Sequence, residues 1–314
     1  MKTFAKNHLL PLLIVAASVV SMTSCSASDA KVPVQEEEGQ TPVVTRSLTS
    51  DLKELAKNTP FRMWICAHRS NTYRAKLEGI PENSVPAVEY AIEAGLDMIE
   101  VDARATKDGV IVNVHNETVD ATTNGTGKVS SYTYEQLCAL RLKGSKGTTT
   151  YQVPTFKEML EAAKDKIYVC VDVKEAILLP QMFQIVEELG MKDQVCYFAG
   201  TAAKPENSDM VANNGAILFP WVSSAANVKT LAERYGEKLV FIQFDMGSSA
   251  LSAIVSAADS YGMTGFANHL TTSDTALLGG NYSYLEAFIT NKVEMVQTDY
   301  GDLMTGYLKE KNVR

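Results

Sequence analysis

Between Ile65 and Asn116 the chain sets two histidines around a short run of acids: Ala67-His68-Arg69-Ser70, Pro81-Glu82-Asn83-Ser84, Ile99-Glu100-Val101-Asp102 and Val114-His115-Asn116. Imidazoles exchange protons near neutral pH, so His68 and His115 can act as acid and base. Glu100 and Asp102 lie two apart in an apolar run, and a strand turns such positions to one face. Two unpaired carboxylates there would be costly, which makes a cation the better account than a solvated strand face. A proton-transfer pair beside a divalent ion is equipment for hydrolysing a phosphate ester: one ring takes a proton from the nucleophile and the other gives one to the leaving alkoxide.

These side chains sit at the ends of apolar stretches, and such stretches recur at 63–68, 98–103, 110–115, 167–173, 194–199, 216–219, 239–245, 262–267 and 293–298. Helical patterns lie between most of them, at 84–94, 155–163, 179–189, 228–235, 249–261 and 284–289. That alternation predicts a parallel sheet with helices outside. Only six residues separate Ala103 from Val110, too few for a parallel crossover, so this pair is an antiparallel hairpin. A turn centred on Lys107 and Asp108 sets His115 across from Glu100. The eight remaining strands predict a (β/α)8 TIM barrel with a β-hairpin extension after the second strand and a site at the carboxyl ends of the strands.

Alternation turns Cys66 the same way as His68, and Cys170 and Lys174 the same way as Asp172. The cysteines then fill the barrel's inner layers as small hydrophobes. Residues 116–152, rich in Thr, Gly and Lys, form an excursion that covers or rims the site. Asp172 next to Lys174 offers either a third metal carboxylate or a structural ion pair. His269 reads as rim surface, and Trp64 and Trp221 as packing residues.

In this order and spacing the residues resemble the glycerophosphodiester phosphodiesterase family over most of 63–305. The likeness is closest over 66–127, returns at Val153-Pro154-Thr155 and 170–174, and closes with Val296-Gln297-Thr298-Asp299-Tyr300. It implies hydrolysis of a glycerophosphodiester to sn-glycerol 3-phosphate and an alcohol, with His68 and His115 as general acid and base. Glu100, Asp102 and Asp172 would hold one divalent cation; oxygen ligands alone favour Ca2+ or Mg2+ over zinc. Arg69 and Lys174 would meet the phosphate. Glu82 and Asn83, in a Pro-Glu-Asn motif that opens a helix, would touch glycerol or support the ligands.

The chain departs from the family at Ser70 and Asn116, which replace a glycine and an aspartate, and at Asp172, one methylene shorter than the usual glutamate. Phe266-Ala267-Asn268-His269 stands where the family often has Trp-Thr-Val-Asn. These departures keep a non-catalytic ligand-binding lipoprotein in view as one alternative; a second is a related barrel phospholipase that forms a cyclic phosphate, distinguished by its product.

The whole chain has 314 residues, 46% hydrophobic and 21% charged, with net charge −8. That suits one large globular domain. There is no basic stripe or aromatic-basic interleaving of the kind that binds nucleic acid. Residues 1–24 combine Lys2 and Lys6 with an apolar stretch of signal-peptide length, too short to span a bilayer. Met22-Thr23-Ser24-Cys25 resembles a bacterial lipoprotein processing site, with Cys25 as the lipidated residue. The expectation is an exported protein anchored by lipid in the cell envelope. Residues 25–48 read as a flexible tether. Asp51 and Glu54, spaced as a capping box, open a catalytic domain over 49–314.

Overall fold

In the computed structural model, residues 47–57, 59–245 and 250–314 are described. The predicted leader, Cys25 and all but the last two residues of the tether lie outside them. The first helix spans Leu48–Leu55 and is capped by Ser47, whose hydroxyl accepts from the Ser50 N–H. The start therefore precedes the expected capping box, and Asp51 instead meets the Tyr168 hydroxyl. A serine immediately outside the apolar stripe supplies the cap more directly than an acid within the first turn.

The strands are β1 (Trp64–Ala67), β2 (Met98–Ala105), β3 (Ile111–Asn113), β4 (Tyr168–Val173), β5 (Val195–Thr201), β6 (Ile217–Trp221), β7 (Phe241–Asp245), β8 (Thr264–Asn268) and β9 (Met295–Thr298). They lie in the order β1-β9-β8-β7-β6-β5-β4-β2-β3, and β1 also pairs with β2. Eight parallel strands thus close into the expected barrel, with β3 added antiparallel to the end of β2.

The hairpin register differs from the expectation by one residue. Ala103 pairs with Asn113 and Ala105 with Ile111, and the loop is Lys107-Asp108-Gly109. Gly109 takes φ 81°, a left-handed conformation open to glycine, while the Thr106 hydroxyl bonds Asp108 Oδ1 at 2.6 Å. The three-residue loop moves the ladder so that it extrapolates to Val101, not Glu100, opposite His115.

Two apolar layers follow from strand alternation. Inside the barrel lie Cys66, Met98, Tyr168, Cys170, Cys196, Phe219, Phe241, Phe266 and Met295, closed at the amino-terminal end by Leu48, Leu52 and Leu55. Trp64 packs here too, stacked on Tyr168 at 5.6 Å. The outward residues Ile65, Ile99, Val101, Val169 and Val171 meet helices such as Phe156–Ala163 and Leu179–Glu188. Each fully buried side chain of this kind contributes about 1.5–3 kcal/mol. The four cysteines among the described residues are free, three of them buried, as small core hydrophobes.

The 116–152 excursion builds its own small core from Val119, Val129, Leu137 and Leu142 with Val112, Val114 and Val153. It leans on the loop after β1: the Ser145 hydroxyl donates to Lys76 O, and Gly144 is pressed on the Gly79 carbonyl. Among the described residues, none of 116–152 lines the cavity at the strand ends. Among the described residues no helix is long and apolar enough to cross a membrane.

Candidate active site

Glu100 and Asp102 project from β2, and Asp172 from β4, where Asp102 and Asp172 are register partners. One carboxylate oxygen from each falls within 4.8 Å of the others. Glu100 and Asp102 are buried. Glu100 Oε2 accepts the Arg69 backbone N–H at 2.7 Å, and Asp102 Oδ2 accepts from Asn83 Nδ2 at 2.8 Å. Burial pushes the Glu100 carboxyl well up, with Asp102 and Asp172 adding to the rise. Burial also works against ionised Asp102, yet Lys174, the Asn83 hydrogen bond and His115 hold it below its usual range.

The donor set fits a hard divalent cation. Three carboxylates converge, and buried Asp102 Oδ1 makes no well-aligned hydrogen bond, with the Lys174 ammonium 3.0 Å away. The ion-pair reading of Asp172 with Lys174 also holds, at 2.5 Å. The lysine thus spans two of the three carboxylates, and both raise its pKa against the opposing effect of burial.

The turn after β1 puts this arrangement in place. Arg69 and Ser70 adopt φ 52° and 60°, left-handed values that cost a non-glycine residue roughly 1–2 kcal/mol. A glycine would take these values without that cost. Here the Ser70 hydroxyl donates to Glu100 O at 3.2 Å. Asn83, at φ 51°, donates its N–H to Arg69 O at 2.8 Å. Its side-chain amide donates to Asp102 Oδ2 and accepts the Asp102 backbone N–H at 3.4 Å. Glu82 accepts from the Arg69 guanidinium at 2.8 Å, which stands 4.0 Å from Asp102 Oδ2.

His68 and His115 line one cavity with Glu100 and Asp172. His68 Nδ1 lies 2.8 Å from Asp299 Oδ1, and Lys76 Nζ donates to Asp299 Oδ2 at 2.9 Å. Burial alone would raise Asp299, but His68 and Lys76 hold it down to about 2. His115 Nδ1 meets the Asn116 amide oxygen Oδ1, an uncharged group, at 2.8 Å. Arg104 anchors the His115 carbonyl through Nε and a terminal nitrogen at 3.0 and 2.9 Å.

Sequence reasoning gave Asp299 and Lys76 no role. Asp299 stood in the closing motif, which was the one available signal; Lys76 carried none. His269 is also corrected. It is buried, because its ring turns under the strand ends to Asp274 at 3.2 Å. Asp274 accepts the Asp299 backbone N–H at 3.0 Å and thereby steadies the segment that carries the His68 partner. Trp221 likewise differs from a packing residue: it is half-buried and lines the cavity.

Residues 68–206 match the model of the Glycerophosphoryl diester phosphodiesterase family. A glycerophosphodiester phosphodiesterase of Caldanaerobacter subterraneus subsp. tengcongensis is 33% identical over 139 residues, 42% of this chain and 55% of that protein. The chain spans about half the length of such curated relatives. Among solved structures, a glycerophosphoryl diester phosphodiesterase from Parabacteroides distasonis has the same fold, with TM-score 0.74 at 22% identity over 84% of this chain and 93% of that one. So does an Oleispira antarctica phosphodiesterase solved with the product sn-glycerol-3-phosphate, with TM-score 0.61 at 15% identity over 81% and 99%.

Proposed function

We propose that the chain is a phosphoric diester hydrolase of the glycerophosphoryl diester phosphodiesterase family, whose model matches residues 68–206. It cleaves glycerophosphodiesters to sn-glycerol 3-phosphate and an alcohol, using one divalent cation, Ca2+ or Mg2+. The observation that carries this reading is the convergence of Glu100, Asp102 and Asp172 beside two histidines that line the same cavity.

Those three carboxylates would hold the ion, which would supply positive charge against the phosphoryl oxygens. The chain's own residues do the rest. Arg69 and Lys174 bring cationic groups to the phosphate edge. One imidazole takes the proton of the attacking nucleophile and the other protonates the leaving alkoxide, help worth roughly 10²–10⁴-fold. Asp299 fixes the His68 ring with Nδ1 bonded, which leaves Nε2 for the proton transfer.

The test is a product screen of the full chain over several glycerophosphodiesters, with Ca2+ and Mg2+ compared. Glycerol 3-phosphate release should stop with a chelator, return with metal, and be lost in His68→Ala. Binding without turnover of any diester would overturn the reading, and a cyclic phosphate product would move the protein to the barrel phospholipases. Residues 1–24 and Cys25 support export and lipid anchoring in a bacterial envelope. Labelled fatty acid should enter the full chain and fail to enter Cys25→Ala.

A further inference from the structure

The pairing of β2 with β3 ends at Asn113. Its last rung is the Val114 N–H on Asp102 O at 3.1 Å, and backbone pairing resumes at Glu117, whose carbonyl accepts the Val129 N–H at 2.9 Å. His115 lies between the two, so strand pairing does not fix where its ring stands. The Nδ1 partner, Asn116 Oδ1, travels on the same stretch of chain and cannot tie the ring to the barrel.

The tie comes from β2. Glu100, Asp102 and Arg104 alternate onto one face of that strand, so the element that supplies two of the three carboxylates also supplies a guanidinium. Arg104 Nε and Nη2 converge on the His115 carbonyl oxygen at 3.0 and 2.9 Å. The third nitrogen, Nη1, faces Glu175 Oε1 at 3.6 Å, just past β4 and Lys174. The Arg104 side chain is only 17% exposed, which limits competition from water for the carbonyl. A planar, charged fork fixes direction as well as distance. Arg104 and Glu175 are not among the described residues that line the cavity, so their contacts lead to His115 and not to a bound diester.

We propose that Arg104 is the positioning residue of His115: its guanidinium fork sets the imidazole against the carboxylates of the same strand, and Glu175 aligns the fork. This rests on the diester-hydrolase reading above and adds the group that holds one member of the acid–base pair. A reacting group misplaced by about 1 Å loses about 10²-fold in rate. In the full chain, Arg104→Ala should therefore lower kcat for glycerophosphodiester hydrolysis about 10–100-fold, with KM within about twofold of the parent. Arg104→Lys keeps the charge and loses the fork, and its kcat should fall between the two.

Two further readouts separate positioning of His115 from general support of the fold. Calorimetric titration with Ca2+ or Mg2+ should give the same affinity in Arg104→Ala as in the parent. Proton spectra of the His115 ring should show one sharp set of signals in the parent and exchange-broadened signals in Arg104→Ala. Should the alanine variant not fold, Arg104→Lys with the parent's Tm gives the same readouts in smaller measure. Ring signals unchanged from the parent would overturn the positioning role, whatever the turnover. A loss of metal affinity as large as the loss of kcat would also overturn it, by placing Arg104 behind the carboxylates. If the parent cleaves no diester, the hydrolase reading falls, and the ring signals still decide what Arg104 does.

Discussion

His68 Nδ1 sits 2.8 Å from Asp299 Oδ1, a contact that joins the first strand of the barrel to the segment after the last. The carboxylate is itself gripped by Lys76 and its backbone by Asp274. The histidine ring therefore has one available orientation, with its second nitrogen left for chemistry. His115, bonded only to a neutral amide, has no such charged support.

Replacing that carboxylate isolates its role. Asp299→Asn keeps the shape but can present its amide to Nδ1, which favours the wrong tautomer. Glycerol 3-phosphate release should fall roughly 10²–10⁴-fold, chiefly in kcat. Activity within a factor of two of the parent chain would remove Asp299 from the account.

Asn83 tests the support of the metal carboxylates. Asn83→Ala removes the 2.8 Å bond to Asp102, and loss of a partner that orients a ligand typically costs about 10–100-fold in metal affinity. Calorimetric titration of the metal-free chain with Ca2+ or Mg2+ reads this directly, without recourse to turnover. Unchanged affinity would show that Asp102 keeps its orientation without the amide.

Glu294 gives a pH dependence away from the site. Burial pushes its carboxyl up to about 8 against hydrogen bonds from the Gly265 N–H and its own backbone N–H, and Oε1 has no hydrogen-bond partner among the described residues. The folded state therefore holds the proton after the unfolded chain, titrating near 4.3, has released it. Its stabilising contribution is full below about pH 4 and is lost as pH rises through 8, at no more than about 1.4 kcal/mol per pH unit. Urea melts from pH 5 to 9 should show a shallower decline for Glu294→Gln; an identical decline would show that Glu294 ionises normally.

Gly144 pins the excursion to the barrel. A Cβ there would fall 1.9 Å from the Gly79 carbonyl oxygen, so Gly144→Ala must push the two loops apart. Overpacking of this kind costs about 1–3 kcal/mol, visible as a lower Tm. Because Lys76 lies on the displaced segment, kcat should fall as well. Full stability and activity would mean that the two loops move apart freely.

Much of this was legible along the chain because it is local. Strand alternation, helix stripes and the six-residue gap after Ala103 depend on neighbours in sequence, and they led to the barrel and its hairpin. His68, Glu100, Asp102 and His115 also lie within one stretch of 48 residues, so their spacing placed them together. The hairpin register was less legible, since the same residues fit a two-residue or a three-residue loop until Gly109 takes its left-handed conformation.

By itself the sequence determined the kinds of strand and helix, their order, and which carboxylates and imidazoles gather at one end. Tertiary structure alone decided which partner each of those groups meets. Asp299 reaches His68 only because β9 pairs with β1, and Asp102 meets Asp172 only because β2 and β4 run in register. Closing the barrel also turned His269 inward and Trp221 toward the cavity. Periodicity states which face a side chain takes; what it touches there depends on strands far away in the chain.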